Sequence, residues 1–397
     1  MTRTLTAKQA TETLGITAAT LYAYVSRGLI RSEVGEGDTR ERRYLAEDVN
    51  KLVKRKAQRG SPDKGAREAL QWGSPVLESA LTLIDDDKLY YRGQDATQLA
   101  VSRTFEEVAA LLWTGQLIDA DRLFGTPPHA GSLHLEREAL SFVARMQIAL
   151  TLSAEQDLRA LDLQPKTLSL TGARILQLLC ATISMAQEGN IAERLAGAWN
   201  GDHQSERLIN AALILCADHE LNTSSFAARV VASTGATLYS VVTAGLGALQ
   251  GFKHGGNTRL VAAFLRDVEA AGEPLPVIRD RLQRGEHIPG FGHVLYRGGD
   301  PRAAALLALM RSGYADHPTM QLAEQVIEQT NAIIDRAPNI DFALVVLERV
   351  LGLPHDAALA LFALGRTAGW IAHAMEQYAS GQLIRPRAVY TGKKPNE

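Results

Sequence analysis

The sequence predicts a mainly α-helical protein with a small basic head on a larger acidic body, and three observations carry that reading. Apolar residues recur at helical spacing through much of the chain, as at Leu208, Ala211, Ala212 and Leu215 within Glu206 to Cys216. Residues 1–60 hold 12 Lys and Arg against 7 Asp and Glu, leaving 30 against 37 in the remainder. Between head and body, Arg59-Gly60-Ser61-Pro62-Asp63-Lys64-Gly65 has the Gly, Ser and Pro content of a linker. At 397 residues, with 46% hydrophobic and 22% charged side chains, the chain has room for two or three globular domains.

The head, residues 1–59, contains LTAKQATETLGITAATLYAYVSRGLI. Apolar Ala10, Leu14, Leu21 and Val25 fall in two short helical patterns around Gly15-Ile16-Thr17, with Thr17 the N-cap of the second. That is a helix-turn-helix pattern. Its second helix is expected to turn Thr20, Tyr22, Ala23, Ser26 and Arg27 outward. A Gly-rich turn with Arg40, Arg42, Arg43 and Tyr44 follows, then a helix from about Ala46. The segment resembles the winged helix-turn-helix of MerR-like and excisionase-like proteins. The resemblance implies DNA as a partner, with Arg40, Arg42 and Arg43 on phosphates and Tyr22, Tyr24 and Arg27 facing a groove. A basic head on an acidic body points the same way. The competing reading is a protein-contact domain whose basic residues are merely solvated.

After the linker at 60–74, the stretch from Pro75 predicts short strands or turns around Asp85 to Arg92 and then helices. The most apolar long window, Leu168 to Ala186, is interrupted by Arg174 and Gln177, which favours burial between helices over a membrane span. MTRTLTAKQA lacks the apolar core of a signal peptide, and two cysteines in apolar helical surroundings, Cys180 and Cys216, suit a reducing cytoplasm. Thr223 to Leu249 is a run rich in Ala, Ser, Thr and Gly, suited to close helix packing. Gly245, Gly247 and Gly251 miss the dinucleotide-binding spacing by one residue and follow no strand. His129, His134, His203, His317, His355 and His373 show no metal-ligand spacing, so no metal is expected, and His373 reads as half-buried on a helix face.

Three irregular stretches concentrate the chemistry. GEHIPGFGHVLYRGGDPR, from Gly285 to Arg302, holds too much Gly and Pro for a helix or strand interior, and sets His293 nine positions before Arg302. GALQGFKHGGN, from Gly247 to Asn257, sets His254 between glycines after a helical run. APNIDFALVVLERVLG, from Ala337 to Gly352, sets Asp341 at the head of an apolar helix. A histidine can polarise a carbonyl, an arginine can grip a carboxylate through a fork, and a carboxylate can take a proton.

Taken together, PGFGHxxYRxxDPR, GxxHGG and PNIDF resemble citrate synthase. So do Asp218-His219-Glu220-Leu221-Asn222, SSFAARVVAS, GRTAGWIAHAMEQ around Arg366 and IRPRAVYTG around Arg385, in family order from about Pro75 to Gly392. The resemblance implies a large helical domain from 75–254 and 355–397, a small one from 255–354, and closure of one on the other. It implies a condensation of an acyl-CoA with oxaloacetate or a related 2-oxo acid, with no cofactor beyond the acyl-CoA substrate. Asp341 would be the base, His254 the enolate donor and His293 the group on the ketone oxygen. His219 would lie beside His293, Arg302, Arg366 and Arg385 would hold carboxylates, and Arg297 would meet coenzyme A. It also implies a homodimer in which Arg385 enters the partner's site.

Two stretches depart from the family pattern. Where GPLHGGANE is usual the chain reads GFKHGGNTR, and where NVDFYSG is usual it reads NIDFALV. Both adjoin the place of the acyl group, which leaves acetyl-CoA and propionyl-CoA as the candidate donors. The class-level alternative is a DNA-binding regulator whose body senses oxaloacetate or an acyl-CoA. Against a pure sensor stands Asp341, since a base contributes nothing to sensing.

Overall fold

Thr6 and Thr17 start the first two helices, and each does so with its own hydroxyl. In the computed structural model, which describes residues 4–27, 29–34, 42–49, 52, 77–118, 120–125 and 140–395, contacts group Met1–Glu78 as one unit and Ser79–Glu397 as another. In the first unit, Thr6 forms a capping box with Gln9 at the head of α1 (Ala7–Leu14), which Gly15 ends in the left-handed region at φ 59°. Thr17 caps α2 (Ala18–Ser26) by accepting from the Thr20 amide, as its position predicts. Strands β1 (Thr4–Leu5), β2 (Ser32–Val34) and β3 (Arg42–Leu45) form an antiparallel sheet in the order β1-β3-β2. Residues 46–49 are helical, as expected from Ala46. Ala10, Leu14, Leu21, Ile30, Tyr44 and Val49 form the small core. Tyr44 is therefore a core residue and not part of a wing surface: it is 1% exposed and packs in the small core, while Arg42, two residues earlier on β3, stays exposed.

The second unit opens on β4 (Thr82–Asp85), β5 (Lys88–Tyr91) and β6 (Gln94–Asp95), an antiparallel meander. Asp86 and Asp87 join β4 to β5, both at positive φ, in the two-residue turn that strand twist favours. Helices follow: α3 (Ala96–Ser102), α4 (Phe105–Thr114), α5 (Asp121–Phe124), α6 (Phe142–Ala154), α7 (Pro165–Ala181), α8 (Ile191–Ala198), α9 (His203–Cys216), α10 (Thr223–Ala232) and α11 (Leu238–Leu249). Then come α12 (Asn257–Ala271), α13 (Pro274–Gln283), α14 (Pro301–Tyr314), α15 (Pro318–Ile334), α16 (Ile340–Val350) and α17 (Ala357–Ser380). Helix α7 covers most of the apolar window at Leu168 and is buried among its neighbours, and no helix of the described residues is long and apolar enough to cross a membrane.

Helix α17 is the axis of this unit. Residues 357–374 are buried without interruption, so no face of that stretch reaches solvent. Its glycines allow that: a Cβ on Gly365 would lie 2.5 Å from the Leu213 carbonyl oxygen, and one on Gly369 would overlap that of Ala217. The close approach brings the end of α9, and with it Asp218 and His219, against the middle of α17. Gly245 of α11 serves the same purpose, since a Cβ there would sit 2.5 Å from the Trp370 ring.

The small-residue run from Thr223 to Leu249 forms two helices, with Gly235 at φ 79° between them. The expectation of a half-buried His373 is corrected. His373 is completely buried, with Nε2 3.2 Å from Asp218 Oδ1. Cys180 and Cys216 are separate free, buried thiols, each pushed up to about 12 chiefly by burial.

Candidate active site

Three turns converge at the ends of α9, α11 and α16. The first follows α9. The Tyr91 hydroxyl meets the carbonyls of Ile214 and Asp218 at 3.0 and 3.1 Å, Thr82 donates to Asp218 Oδ2, and Glu220 turns the chain at φ 57°. His219 is thereby held inside, with Nε2 2.8 Å from the Tyr296 hydroxyl. Asn222 then caps α10 and accepts from the Ser224 hydroxyl at 2.7 Å.

The second turn runs from Gly251 to Asn257 and carries His254. Its backbone closes on itself, His254 N–H donating to the Gly251 carbonyl and Asn257 N–H to that of His254, both at 2.9 Å. Only glycine fits at 256, where a Cβ would overlap the Gln250 carbonyl oxygen. His254 Nε2 lies 2.8 Å from Ser224 Oγ, which also accepts from Trp370 Nε1–H at 3.1 Å. Ser224 has one hydroxyl proton for two acceptors. With the proton on Asn222, Ser224 accepts from His254 Nε2–H; with it on His254 Nε2, the ring carries its own proton on Nδ1 and donates from there.

The third part joins the His293 loop to the head of α16. Gly290 (φ 83°) and Gly292 (φ 81°) let the loop lie against that helix, since a Cβ on Gly290 would come within 2.9 Å of Phe342. Asn339 caps α16 through its side chain, donates its backbone N–H to the Gly290 carbonyl at 2.8 Å, and donates Nδ2 to that of Gly292 at 3.2 Å. Asp300 caps α14 and accepts from the Ile340 amide at 3.0 Å, tying the far end of the loop to the same helix head. His293 and Asp341 are therefore placed by one hydrogen-bonded assembly.

Electrostatics follow from burial. His254 falls to about 3 and His293 to about 4, in each case chiefly through burial and then through the cationic field of Arg302 and Arg366 or Arg302 alone. His219 is held well below its usual value for the same reasons. All three are neutral near pH 7. His293 Nδ1 accepts from the Leu295 amide at 3.1 Å, so its proton sits on Nε2 and that nitrogen is a donor. Asp341 is pushed up to about 6 by burial, against a hydrogen bond from Asn257 Nδ2 to Oδ2 at 2.8 Å; its Oδ1 is buried and unpartnered among the described residues.

The arginines divide. Arg302 is 3% exposed and its Nε and Nη2 already fork Asp300 at 2.9 and 2.7 Å, which corrects the expectation of a free fork: the Nη1 edge is what remains for a ligand. Arg366 is 1% exposed, gives Nε to the Cys216 carbonyl at 2.7 Å, and has a buried Nη2 with no acceptor among the described residues. A buried guanidinium with an idle donor is suited to an anionic oxygen. Arg385 is exposed in the segment after α17 and is not brought to this cluster within one chain. Arg297 is exposed at the rim, where Asp87 accepts from the backbone amides of residues 297 and 298.

So His219, His254, His293, Asp341, Arg302 and Arg366 come together, while Ser224, Asn257, Tyr296 and Asp300 escaped the sequence reading. Asp300 had a signal, an acid immediately before Pro at a helix start; the others are set by contacts between distant turns. In the head, Tyr22 (55% exposed) and Arg27 face outward, but Tyr24 packs partly on the small core, which corrects its place in a groove-facing set. Arg42 is exposed and Arg43 half-buried on β3, while Arg40 and the linker at 60–74 lie outside the described residues, as do His129 and His134.

Residues 69–387 match the family described as citrate synthase, C-terminal domain, and residues 5–71 match the MerR HTH family regulatory proteins. Among similar proteins, Citrate synthase 2 of Bacillus subtilis is 35% identical over 355 residues, spanning 81% of this chain and 94% of that one. The 2-methylcitrate synthase of Shewanella oneidensis is 29% identical over 367 residues, 82% and 95% of the two chains. The Thermoplasma acidophilum citrate synthase, solved as a ternary complex with carboxymethyl coenzyme A and oxaloacetate, superposes with a TM-score of 0.71 at 25% identity over 81% of this chain and 95% of that one.

Proposed function

The chain belongs to the citrate synthase family, and from that premise we propose that it condenses acetyl-CoA or propionyl-CoA with oxaloacetate, releasing CoA and citrate or 2-methylcitrate. The observation that carries this reading is Asp341: a carboxylate with one oxygen unpartnered among the described residues, pushed up to about 6 by burial, in the same cluster as two neutral histidines. Asp341 takes a proton from the acyl methyl or methylene, and His254 donates to the oxygen of the forming enolate. His293 Nε2–H polarises the ketone of the oxo acid. Arg366 and the free edge of Arg302 receive its carboxylates, with Arg385 of a second subunit completing the set. Hydrolysis of the acyl thioester then makes the condensation effectively irreversible. Closure of the 255–354 region on the rest of the body excludes water until the bond has formed. The test is a thiol-release assay with oxaloacetate and each acyl-CoA; no release with either would overturn the reading.

Arg302→Lys separates two uses of that side chain. The substitution keeps the charge but removes both the fork to Asp300 and the edge offered to the ligand. The KM for the oxo acid should rise at least as much as kcat falls. Because the buried pair tied to the head of α16 is also broken, Tm should drop. An unchanged KM would remove Arg302 from the carboxylate site and leave only its structural use.

The head carries a second activity in this reading, DNA binding, favoured by its helix-turn-helix family match and by the outward Tyr22, Arg27 and Arg42. Arg31 is not available to it, being forked on Asp48 at 2.9 Å through both Nε and Nη2. Replacing Arg40, Arg42 and Arg43 together by Ala should weaken binding to all sequences and reduce the salt slope by up to about three units. Condensation should be unaffected. Absence of affinity of the full chain for any duplex at low salt would assign the head to protein contacts.

A further inference from the structure

We propose that Asn257 is a positioning residue for the base, holding one oxygen of Asp341 so that the other, Oδ1, faces the substrate proton. The inference rests on the reading of Asp341 as the base. Asn257 is the first residue of α12 and comes from a different element than Asp341. Its Nδ2 donates to Asp341 Oδ2 at 2.8 Å, and among the described residues nothing donates to the buried Oδ1. The two carboxylate oxygens are thus made inequivalent: one is committed, and the other keeps its lone pairs for the incoming proton.

The placement of Asn257 is rigid. Its amide N–H is bound to the His254 carbonyl, Thr258 Oγ1 donates to the Gly255 carbonyl at 2.9 Å, and Gly256 admits no side chain. One turn therefore positions both the enolate donor His254 and the group that orients the base. In GFKHGGNTR, the stretch that departs from the usual GPLHGGANE, Asn257 stands where that pattern has alanine. The side-chain amide must present its NH2 to Asp341, because its oxygen would face a carboxylate oxygen.

The bond also bears on charge. Burial disfavours the carboxylate, and the charged and titratable groups facing Asp341 are Arg302 and Asp300 at the head of α14, Arg366 on α17 and Cys216 on α9. Arg302 and Asp300 largely cancel as a pair. A hydrogen bond to a charged acceptor is worth more than one to the neutral acid, so Asn257 keeps the base ionised at lower pH than burial alone would allow.

The experiment is a pH series of kcat and KM on the full chain. In the wild type kcat should fall on the acid side as Asp341 is protonated. In Asn257→Ala that limb should move up by about one pH unit, giving about a tenfold loss below it and recovery at alkaline pH. The KM for oxaloacetate should stay within about twofold of wild type, since Asn257 touches the base and not that substrate. Asn257→Asp is isosteric and sets carboxylate against carboxylate, so its limb should move further up. A pH-independent loss of kcat, or a limb that stays in place in both variants, would overturn the proposal and leave Asn257 a packing residue. A readout without turnover separates this from failure of the condensation reading. The Tm difference between the wild type and Asp341→Asn, followed against pH, reports the titration of Asp341. That curve should move to higher pH when Asn257 is replaced by Ala, whether or not any acyl-CoA is consumed, and an unmoved curve counts against the bond's effect on charge.

Discussion

Asp341→Asn should lower kcat by about 10²- to 10⁴-fold, leave the Kd for oxaloacetate unchanged, and stabilise the ligand-free protein above pH 6. The loss of rate follows because an amide cannot accept a proton, while the substitution keeps the volume and the oxygen that Asn257 can hold. The unchanged Kd follows from the proposed roles, in which the base acts on the acyl partner and Arg302, Arg366 and His293 hold the oxo acid. The stability term has a definite sign. Burial raises Asp341 from 3.8 to about 6, so the folded state favours the neutral acid. That contribution is fully present below the unfolded value, and is lost as pH rises through about 6. Above it, the ionised carboxylate costs up to about 3 kcal/mol, which a neutral amide avoids. Thiol release, calorimetric titration of oxaloacetate, and Tm at pH 5 and pH 8 check the three parts. An equal loss of oxaloacetate binding would move Asp341 out of the base role.

Much of this site was legible in the sequence because its chemistry sits on glycine-rich turns. Gly255-Gly256 around His254, Gly290 and Gly292 before His293, and Asn339 before Asp341 are positions where backbone geometry restricts the residue type, so the motif and the turn are one constraint. Helices α1 and α2 were legible from their apolar spacing, and α2 also from its Thr17 cap, whereas the Thr6 cap of α1 was not read. What was not legible depends on which turns meet. That the Ser224 hydroxyl would meet both the His254 ring and Trp370 Nε1–H is decided by long-range packing against α17, while the Asp300 fork on Arg302 is local to the head of α14 and is fixed there by the Ile340 amide. His373 reads as an ordinary helix residue until α17 proves to be buried on every side.

The departures from the family pattern also separate on structural grounds. Arg259, which replaces an acid, forks Asp356 at 3.1 and 2.9 Å and ties α12 to the start of α17. Ala343 and Leu344 are fully buried core residues of α16. These three changes are accounted for by packing and an ion pair. Phe252 and Lys253 are exposed beside His254, with the Lys253 ammonium 5.8 Å from the Phe252 ring centre. Unlike those three they are exposed, and substitutions at Phe252 and Lys253 are expected to alter the preference between acetyl and propionyl groups.

Mixing two inactive variants should restore about a quarter of wild-type activity if Arg385 serves the neighbouring subunit. The geometry of a single chain favours that arrangement. The Ile384 amide donates to Ser233 Oγ at 3.1 Å, at the C-terminal end of α10, whereas Ser224, beside His254, lies in its first turn. Nine residues of helix separate the two serines, about 14 Å along the axis. Arg385 follows Ile384 directly, so its side chain starts at the far end of α10 from the histidines of its own chain. An exposed arginine at that place is free to reach a second copy if the chain pairs about a two-fold axis. Asp341→Ala and Arg385→Ala should each be nearly inactive, since one removes the proposed base and the other a proposed carboxylate ligand. When the two are refolded together in equal amounts, half the dimers are mixed. In a mixed dimer, one site lacks both residues and the other has both, which restores one site of two. If Arg385 instead acts within its own chain, every site in every dimer lacks one of the residues. Co-refolded mixtures that form dimers by light scattering and yet recover no thiol release would therefore exclude a shared site, and would require the segment after α17 to leave Ser233 and fold back on its own subunit.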